Sequence, residues 1–147
     1  MTIRKLRNED FDTVLSMMLV FYASDALLVH PSEAVLRRTL TDALGDNPYL
    51  EAFGFEEEGV LAGYGMVATS YSTEAGGLCA WIEDIYIRPE YRGRGFGTGF
   101  LAFVRARYAG KAARIRLEAE PENERAMAVY RKAGYEILGY TQLVLEL

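Results

Sequence analysis

The string Arg92-Gly-Arg-Gly-Phe-Gly97, followed by Thr98 and Gly99, has the residue types and spacing to hold an anion. Glycines let a backbone come close to a phosphate, and the N–H groups of a helix's first turn point along a dipole that favours negative charge. Arg92 and Arg94 add donors suited to phosphate oxygens. The string lies between a strand-like apolar run, Trp81–Ile87, and a run in which Phe100, Leu101, Phe103, Val104 and Tyr108 recur at helical spacing. Glycine weakens a helix, so Gly97 and Gly99 in or near a first turn are costly unless a ligand needs the room. The bland alternative is a surface turn that merely starts a helix. A Walker loop would need Gly-x4-Gly-Lys-Ser/Thr, which the chain lacks. A dinucleotide fingerprint needs Gly-x-Gly-x-x-Gly, whereas here the glycines at 93, 95, 97 and 99 alternate and threonine stands at 98.

The loop resembles the Arg/Gln-x-x-Gly-x-Gly/Ala motif of the GNAT acetyltransferase superfamily, with Arg92, Gly95 and Gly97 in the defined positions. A second block, Asn123-x-x-Ala126-x-x-x-Tyr130-Arg-Lys-Ala-Gly134-Tyr135, is similar to that family's other CoA-contacting helix. The close likeness covers residues 81–137 or so. It implies acetyl-CoA as co-substrate, with its pyrophosphate on Arg92, Gly93, Arg94, Gly95, Gly97 and Thr98. Asn123 would also bind it, and Lys132 would reach the adenosine 3′-phosphate, although a basic residue there also suits the helix C-terminus. In this family the strand before the loop splays from its parallel neighbour, which would free the amides of Ile85 and Ile87 for the pantetheine arm. Shorter likenesses at Asn47-Pro48-Tyr49, Thr69–Ser72 and Trp81–Tyr86 resemble the spermidine/spermine N-acetyltransferase branch, which acetylates polyamines, diamines and lysine-like amines.

Acetyl transfer to an amine requires the amine to lose a proton, the thioester carbonyl to be polarised and the leaving thiolate to gain a proton. Primary amines are mostly protonated near neutrality, so a base is expected. Glu83, on the strand just upstream of the cradle, is the candidate, since burial there would raise its pKa. The alternative is a carboxylate buried in an ion pair. Period-two alternation puts Glu83 and Asp84 on opposite faces and predicts that they do not act together. Tyr130 is the candidate acid for the thiolate, sharing a helix face with Asn123 and Ala126, or else a half-buried aromatic. Phe21, Tyr22 and Asp25 are candidates for the acceptor pocket, because aromatic faces and a carboxylate suit an ammonium.

The elements that must position these residues follow from periodicity. Thr2–Arg7 reads as a strand, and Asn8 or Asp10 is placed to cap a helix whose apolar positions run from Phe11 to Tyr22. Ser32 caps a second helix that Gly45 ends, and Tyr49–Glu57 with Val60–Ser70 reads as a hairpin. After the strand and helix around the cradle come a strand at Arg114–Ala119 and a helix at Asn123–Ala133, with Gly134 in the left-handed terminating position. Tyr135–Leu138 and Thr141–Leu147 would form a closing hairpin around Gly139. Together with the resemblance, this predicts a single α/β GNAT-like domain over residues 1–147. Its mixed, mostly antiparallel sheet would have about seven strands and about four helices.

Composition bounds the rest. In 147 residues, half hydrophobic, a sizeable core is expected rather than disorder. The one cysteine, Cys79, excludes an internal disulfide, and a single histidine with no Cys/His cluster predicts no metal site. With 21 acidic against 16 basic residues and a net charge of −5, nucleic acid is disfavoured and a cationic small-molecule amine mildly favoured. No apolar signal segment or membrane-length run is present, so no membrane partner is expected and the cytoplasm is the expected compartment. A homodimer is compatible with this reading. A protein lysine or N-terminal acetyltransferase, or a non-catalytic CoA-binding regulatory module, would carry the same cradle.

Overall fold

The computed structural model describes residues 1–24 and 27–147. The chain runs β1 (Thr2–Lys5), α1 (Phe11–Tyr22), α2 (Glu33–Leu44), β2 (Leu50–Glu57), β3 (Val60–Ser72), β4 (Gly77–Ile87), α3 (Phe96–Tyr108), β5 (Arg114–Leu117) and α4 (Glu124–Lys132). The strands form one sheet in chain order, antiparallel except for the final β4–β5 pair, which is parallel. Strand β4, helix α3 and strand β5 therefore make the crossover that the glycine loop opens.

Both faces of the sheet are covered, which is why its central strands read as nearly unbroken apolar runs. On one face, α1 and α2 lay Val14, Leu15, Met18, Leu36 and Leu40 against Ala52, Tyr64, Met66 and Tyr86. On the other, α3 lays Phe96, Phe100, Leu101 and Val104 against Phe53, Phe55, Val67, Ala80 and Ile82. Period two assigns the strand residues to their faces, and spacings of three and four assign the helical ones. One close approach sets the depth of α3: a Cβ on Gly65 would stand 2.5 Å from the Phe100 ring. The aromatic ring thus rests directly on the β3 backbone, which draws the start of α3 down beside β4. Polar ties fix the layers laterally. Glu51 on β2 is bound by Arg107 and by Tyr108 Oη (2.8 Å) on α3 and by Lys5 (3.0 Å) on β1.

Several expectations are met in detail. Ser32 accepts the Val35 N–H at 3.4 Å as the cap of α2, and Gly134 is left-handed with φ +92°. Asp10 stands at the start of α1 without capping it. Its carboxylate instead takes Arg4 (2.7 Å) and the Arg7 N–H (2.8 Å), tying β1 to the helix start. The closing hairpin is not formed: the sheet has five strands rather than about seven, and no strand follows α4 among the described residues. A strand requires a ladder partner and a covering face, and the run Leu143-Val144-Leu145 finds neither, being 95%, 83% and 85% exposed. Just before it, Tyr140 Oη donates to Glu74 (2.9 Å) and the Gln142 amide to Glu118.

The pairing of β3 with β4 also breaks the simple alternation. Met66 faces Asp84 and Val67 faces Ile82, so Glu83 is an extra residue on β4, a β-bulge. Ile82 and Ile85 both lie in the α3-side core although they are three apart, while Asp84 contacts Tyr22 and Tyr64 on the α1 side. The expectation that Glu83 and Asp84 occupy opposite faces is therefore corrected. The bulge shifts the phase by one and turns both toward the layer of α1 and α2.

Candidate active site

The cradle forms where β4 ends. Pro89 ends the ladder and starts a short 3-10 turn, Pro89–Tyr91. Gly93 and Gly95 then take left-handed backbone angles, φ +79° and +87°, which side-chain-bearing residues rarely adopt. These turns aim the start of α3 outward. The first intrahelical bond runs from Gly99 N–H to Gly95 O at 2.8 Å, so the N–H groups of Phe96, Gly97 and Thr98 have no such partner. No side chain caps this end of α3. Beside it, a Cβ on Gly97 would touch only the Ile87 side chain, at 3.7 Å, leaving open space in front of three free donors. An uncapped helix start with room before it is what a pyrophosphate requires, and the residues fit one.

The arginines divide. Arg92 is exposed and donates its Nε–H to the Ile87 carbonyl (3.0 Å). Arg94 turns away: it pairs with Glu57 on β2 (2.9 Å), donates to the Glu90 carbonyl (3.0 Å) and lies 5.1 Å over the Tyr91 ring. The structure brings in a cation that sequence reasoning missed. Arg125, in the first turn of α4, has a terminal nitrogen 3.8 Å from where a Gly93 Cβ would stand. Asn123 caps the same helix, accepting the Ala126 N–H at 3.1 Å, and Lys132 is exposed in its last turn, at the far end from the cradle.

Between cradle and bulge, β4 loses its partner on one side. The parallel ladder ends at Ile82↔Leu117, so residues 83–87 have no β5 partner. The strand pairing therefore has a gap on this side of Ile85 and Ile87, as a splayed strand would. Glu83 projects from the bulge near the head of that gap with its side chain reaching solvent. Partial burial raises its pKa above the usual carboxylate range, and the nearby charges of Asp84 and Glu118 push in the same direction.

Tyr130 sits on α4 within the same apolar cluster as Ile85, Ile87, Tyr91 and Phe96, with its ring edge-on to Tyr135 at 6.2 Å. It is half-buried, and burial raises its phenol above the ordinary value, so it keeps its proton at neutral pH. On the opposite side, Phe21 and Tyr22 end α1 over β3 and β4. Phe21 meets Tyr64 and Tyr86 at ring separations of 6.5 and 5.9 Å, and Tyr22 donates to Asp84 at 2.7 Å. Asp25, the other expected pocket residue, lies outside the described residues. The site thus has a cradle and Tyr130 on the α3/α4 side and Glu83 with an aromatic wall on the α1 side.

Comparison with known proteins gives a consistent result. Residues 15–135 match the family described as "Acetyltransferase (GNAT) family". Thialysine N-epsilon-acetyltransferase of Bos taurus is 32% identical, the match covering 92% of this chain and 84% of that protein. The Mus musculus enzyme of the same name is 30% identical with the same coverage. Among solved structures, a possible acetyltransferase from Clostridium difficile 630 superposes with a TM-score of 0.86 at 21% identity, covering 99% of this chain and 97% of that one. An aminoglycoside N-acetyltransferase in complex with CoA gives 0.79 at 17% identity, covering 99% and 93%.

Proposed function

This chain belongs to the GNAT acetyltransferase family and is an acetyl-CoA-dependent N-acetyltransferase; within that activity we propose direct transfer to a small cationic primary amine of the polyamine, diamine or lysine-like kind. The observation that carries the reading is the pairing of an uncapped helix start with a bulged carboxylate at the two ends of one splayed strand. Acetyl-CoA supplies the thioester; the chain's own residues hold and orient it and move the protons. The N–H groups of Phe96, Gly97 and Thr98, with Arg92 and Arg125, face its pyrophosphate. Free amides along 83–87 of β4 take up its arm and polarise the carbonyl. Glu83, with its proton affinity raised, accepts the amine's proton directly or through water, and Tyr130 delivers one to the departing sulfur. Phe21 and Tyr22 wall the acceptor side, where aromatic faces suit an ammonium.

Direct transfer is the simpler route, since among the described residues no candidate nucleophile stands at this gap. The cysteine, Cys79, is 1% exposed within β4, and burial raises its thiol. The relatives named for N-epsilon acetylation of thialysine support a lysine-like acceptor, as do the acidic balance of the chain and the exposed Glu83. Release of free CoA thiol across a panel of polyamines, lysine analogues, aminoglycosides and peptides tests the reading. A cationic small amine should lead the panel, with intersecting initial-velocity patterns. A leading peptide would instead make it a protein acetyltransferase, and silence across the panel despite acetyl-CoA binding would make it a regulatory module.

A further inference from the structure

Two acidic side chains among the described residues are buried, Asp10 at 7% and Asp84 at 3% exposure. Asp10 has Arg4 beside it, but Asp84 is held without any cation. One of its oxygens accepts Tyr22 Oη at 2.7 Å and the other accepts Tyr64 Oη at 3.1 Å. Both phenols are held far above their ordinary pKa, first by burial and then by Asp84, so both remain donors. Burying a carboxylate on hydroxyl groups alone is an expensive way to fill a core, and a neutral side chain of that size would cost less. The bulge at Glu83 adds a second cost, since it interrupts the β3–β4 ladder. Together these two features do one thing that a regular strand could not: they put Asp84 on the same face as Glu83, under the end of α1.

We propose that Asp84 is a positioning residue for acetyl transfer: it anchors the Tyr22 hydroxyl, so sets the acceptor wall, and stands next to Glu83 on the same face. The inference rests on the proposed function, in which Glu83 accepts the amine's proton. Three links carry it. The aromatic frame around Asp84 is continuous, with Phe21–Tyr22, Phe21–Tyr86 and Tyr64–Tyr86 centroids 5.1, 5.9 and 6.0 Å apart, so releasing Tyr22 frees the whole end of α1. The wall is tied further along by His30, whose Nδ1 lies 2.6 Å from the Tyr22 carbonyl oxygen. Finally, two carboxyl groups act on Glu83, Asp84 on its own strand and Glu118 beyond β5, and Glu83 in turn acts on the Tyr22 phenol on α1. Burial is the largest influence on Glu83, followed by Asp84 and then Glu118; burial also raises the Asp84 carboxyl itself, which its two phenol bonds oppose.

The test is carbon-13 NMR titration of the Glu83 carboxyl in the wild type and in Asp84→Asn, with amine kinetics and acetyl-CoA calorimetry on the same preparations. The Glu83 midpoint should fall in the variant because Asp84 is among the groups that raise it. The amine KM should rise severalfold while the acetyl-CoA Kd stays unchanged. An unchanged Glu83 midpoint, or a loss confined to acetyl-CoA binding and thermal stability, overturns the proposal. If Asp84→Asn does not fold, Tyr22→Phe takes its place, since it removes only the hydroxyl. It should raise the amine KM with the acetyl-CoA Kd unchanged, and an unaltered amine KM overturns the anchoring role. Failure of the underlying function has a different signature. A wild type that turns over no amine, with the Glu83 midpoint still falling in Asp84→Asn, overturns acetyl transfer and leaves only the electrostatic coupling.

Discussion

Replacing Gly97 separates ligand binding from folding more cleanly than any other change at the cradle. Its backbone is not left-handed, and an added Cβ would meet only Ile87 Cδ1, at 3.7 Å, an ordinary contact. Exchanging glycine for alanine in a helix stabilises by up to about 1 kcal/mol. Gly97→Ala should therefore leave Tm unchanged or raise it by about 2–4 °C. The same methyl would occupy the space in front of the free N–H groups, so acetyl-CoA affinity should fall while stability holds. Gly97→Glu adds charge to bulk. A carboxylate about 5 Å from one phosphate charge, at an effective dielectric of about 20, is repelled by about 3 kcal/mol. That corresponds to about two decades in Kd. Calorimetry with acetyl-CoA at low and high salt checks both terms, because the charge component shrinks with screening whereas the steric one does not. A Gly97→Glu protein that stays folded and binds acetyl-CoA within about threefold of wild type would refute the placement of the pyrophosphate.

Further outcomes follow from the same geometry. Glu83→Gln should lower kcat/KM most at neutral pH and least at high pH, where the free amine dominates; a pH profile measures this, and the acid limb of the wild type should lie above the ordinary carboxylate range. Tyr130→Phe should lower kcat with acetyl-CoA affinity nearly intact, as read by steady-state kinetics beside calorimetry. Glu51 is lowered from 4.5 to about 2, chiefly by Arg107, so it stabilises the fold above its unfolded pKa and loses that contribution as pH falls through the window from 4.5 to about 2. Denaturant melts across that window should show Glu51→Gln losing less stability than wild type. Gly65→Ala would drive a methyl into the Phe100 ring and should destabilise by about 1–3 kcal/mol in urea melts.

The parts legible in the sequence were the local ones. A proline-ended strand, alternating glycines and a helical apolar stripe fix the cradle within a short stretch, so Arg92 to Thr98 fall where the pattern puts them. The Asn123 cap and left-handed Gly134 are local in the same way. What failed depended on distant partners. The bulge at Glu83 arises from how β4 pairs with Met66 and Val67, and nothing in Trp81–Ile87 announces it. The pairing of Arg94 with Glu57, 37 residues away, is likewise announced by nothing local. Arg125 reaches Gly93 only because α4 docks beside the loop. A basic residue two positions after a capping Asn, on the turn nearest the cradle, is the signal that could have found it. The closing hairpin, Tyr135–Leu138 and Thr141–Leu147 around Gly139, has strand-like alternation at Leu143, Leu145 and Leu147, but a strand also needs a ladder partner, and that is a long-range matter.

The central claim is that Glu83 and the aromatic wall serve a small, cationic amine. The most direct measurement compares kcat/KM for a diamine or lysine-like amine with that for an uncharged amine of equal length, at low and at raised ionic strength. The account predicts a clear advantage for the cationic acceptor that shrinks as salt is added. Equal rates for the two amines, or an advantage indifferent to salt, would contradict it.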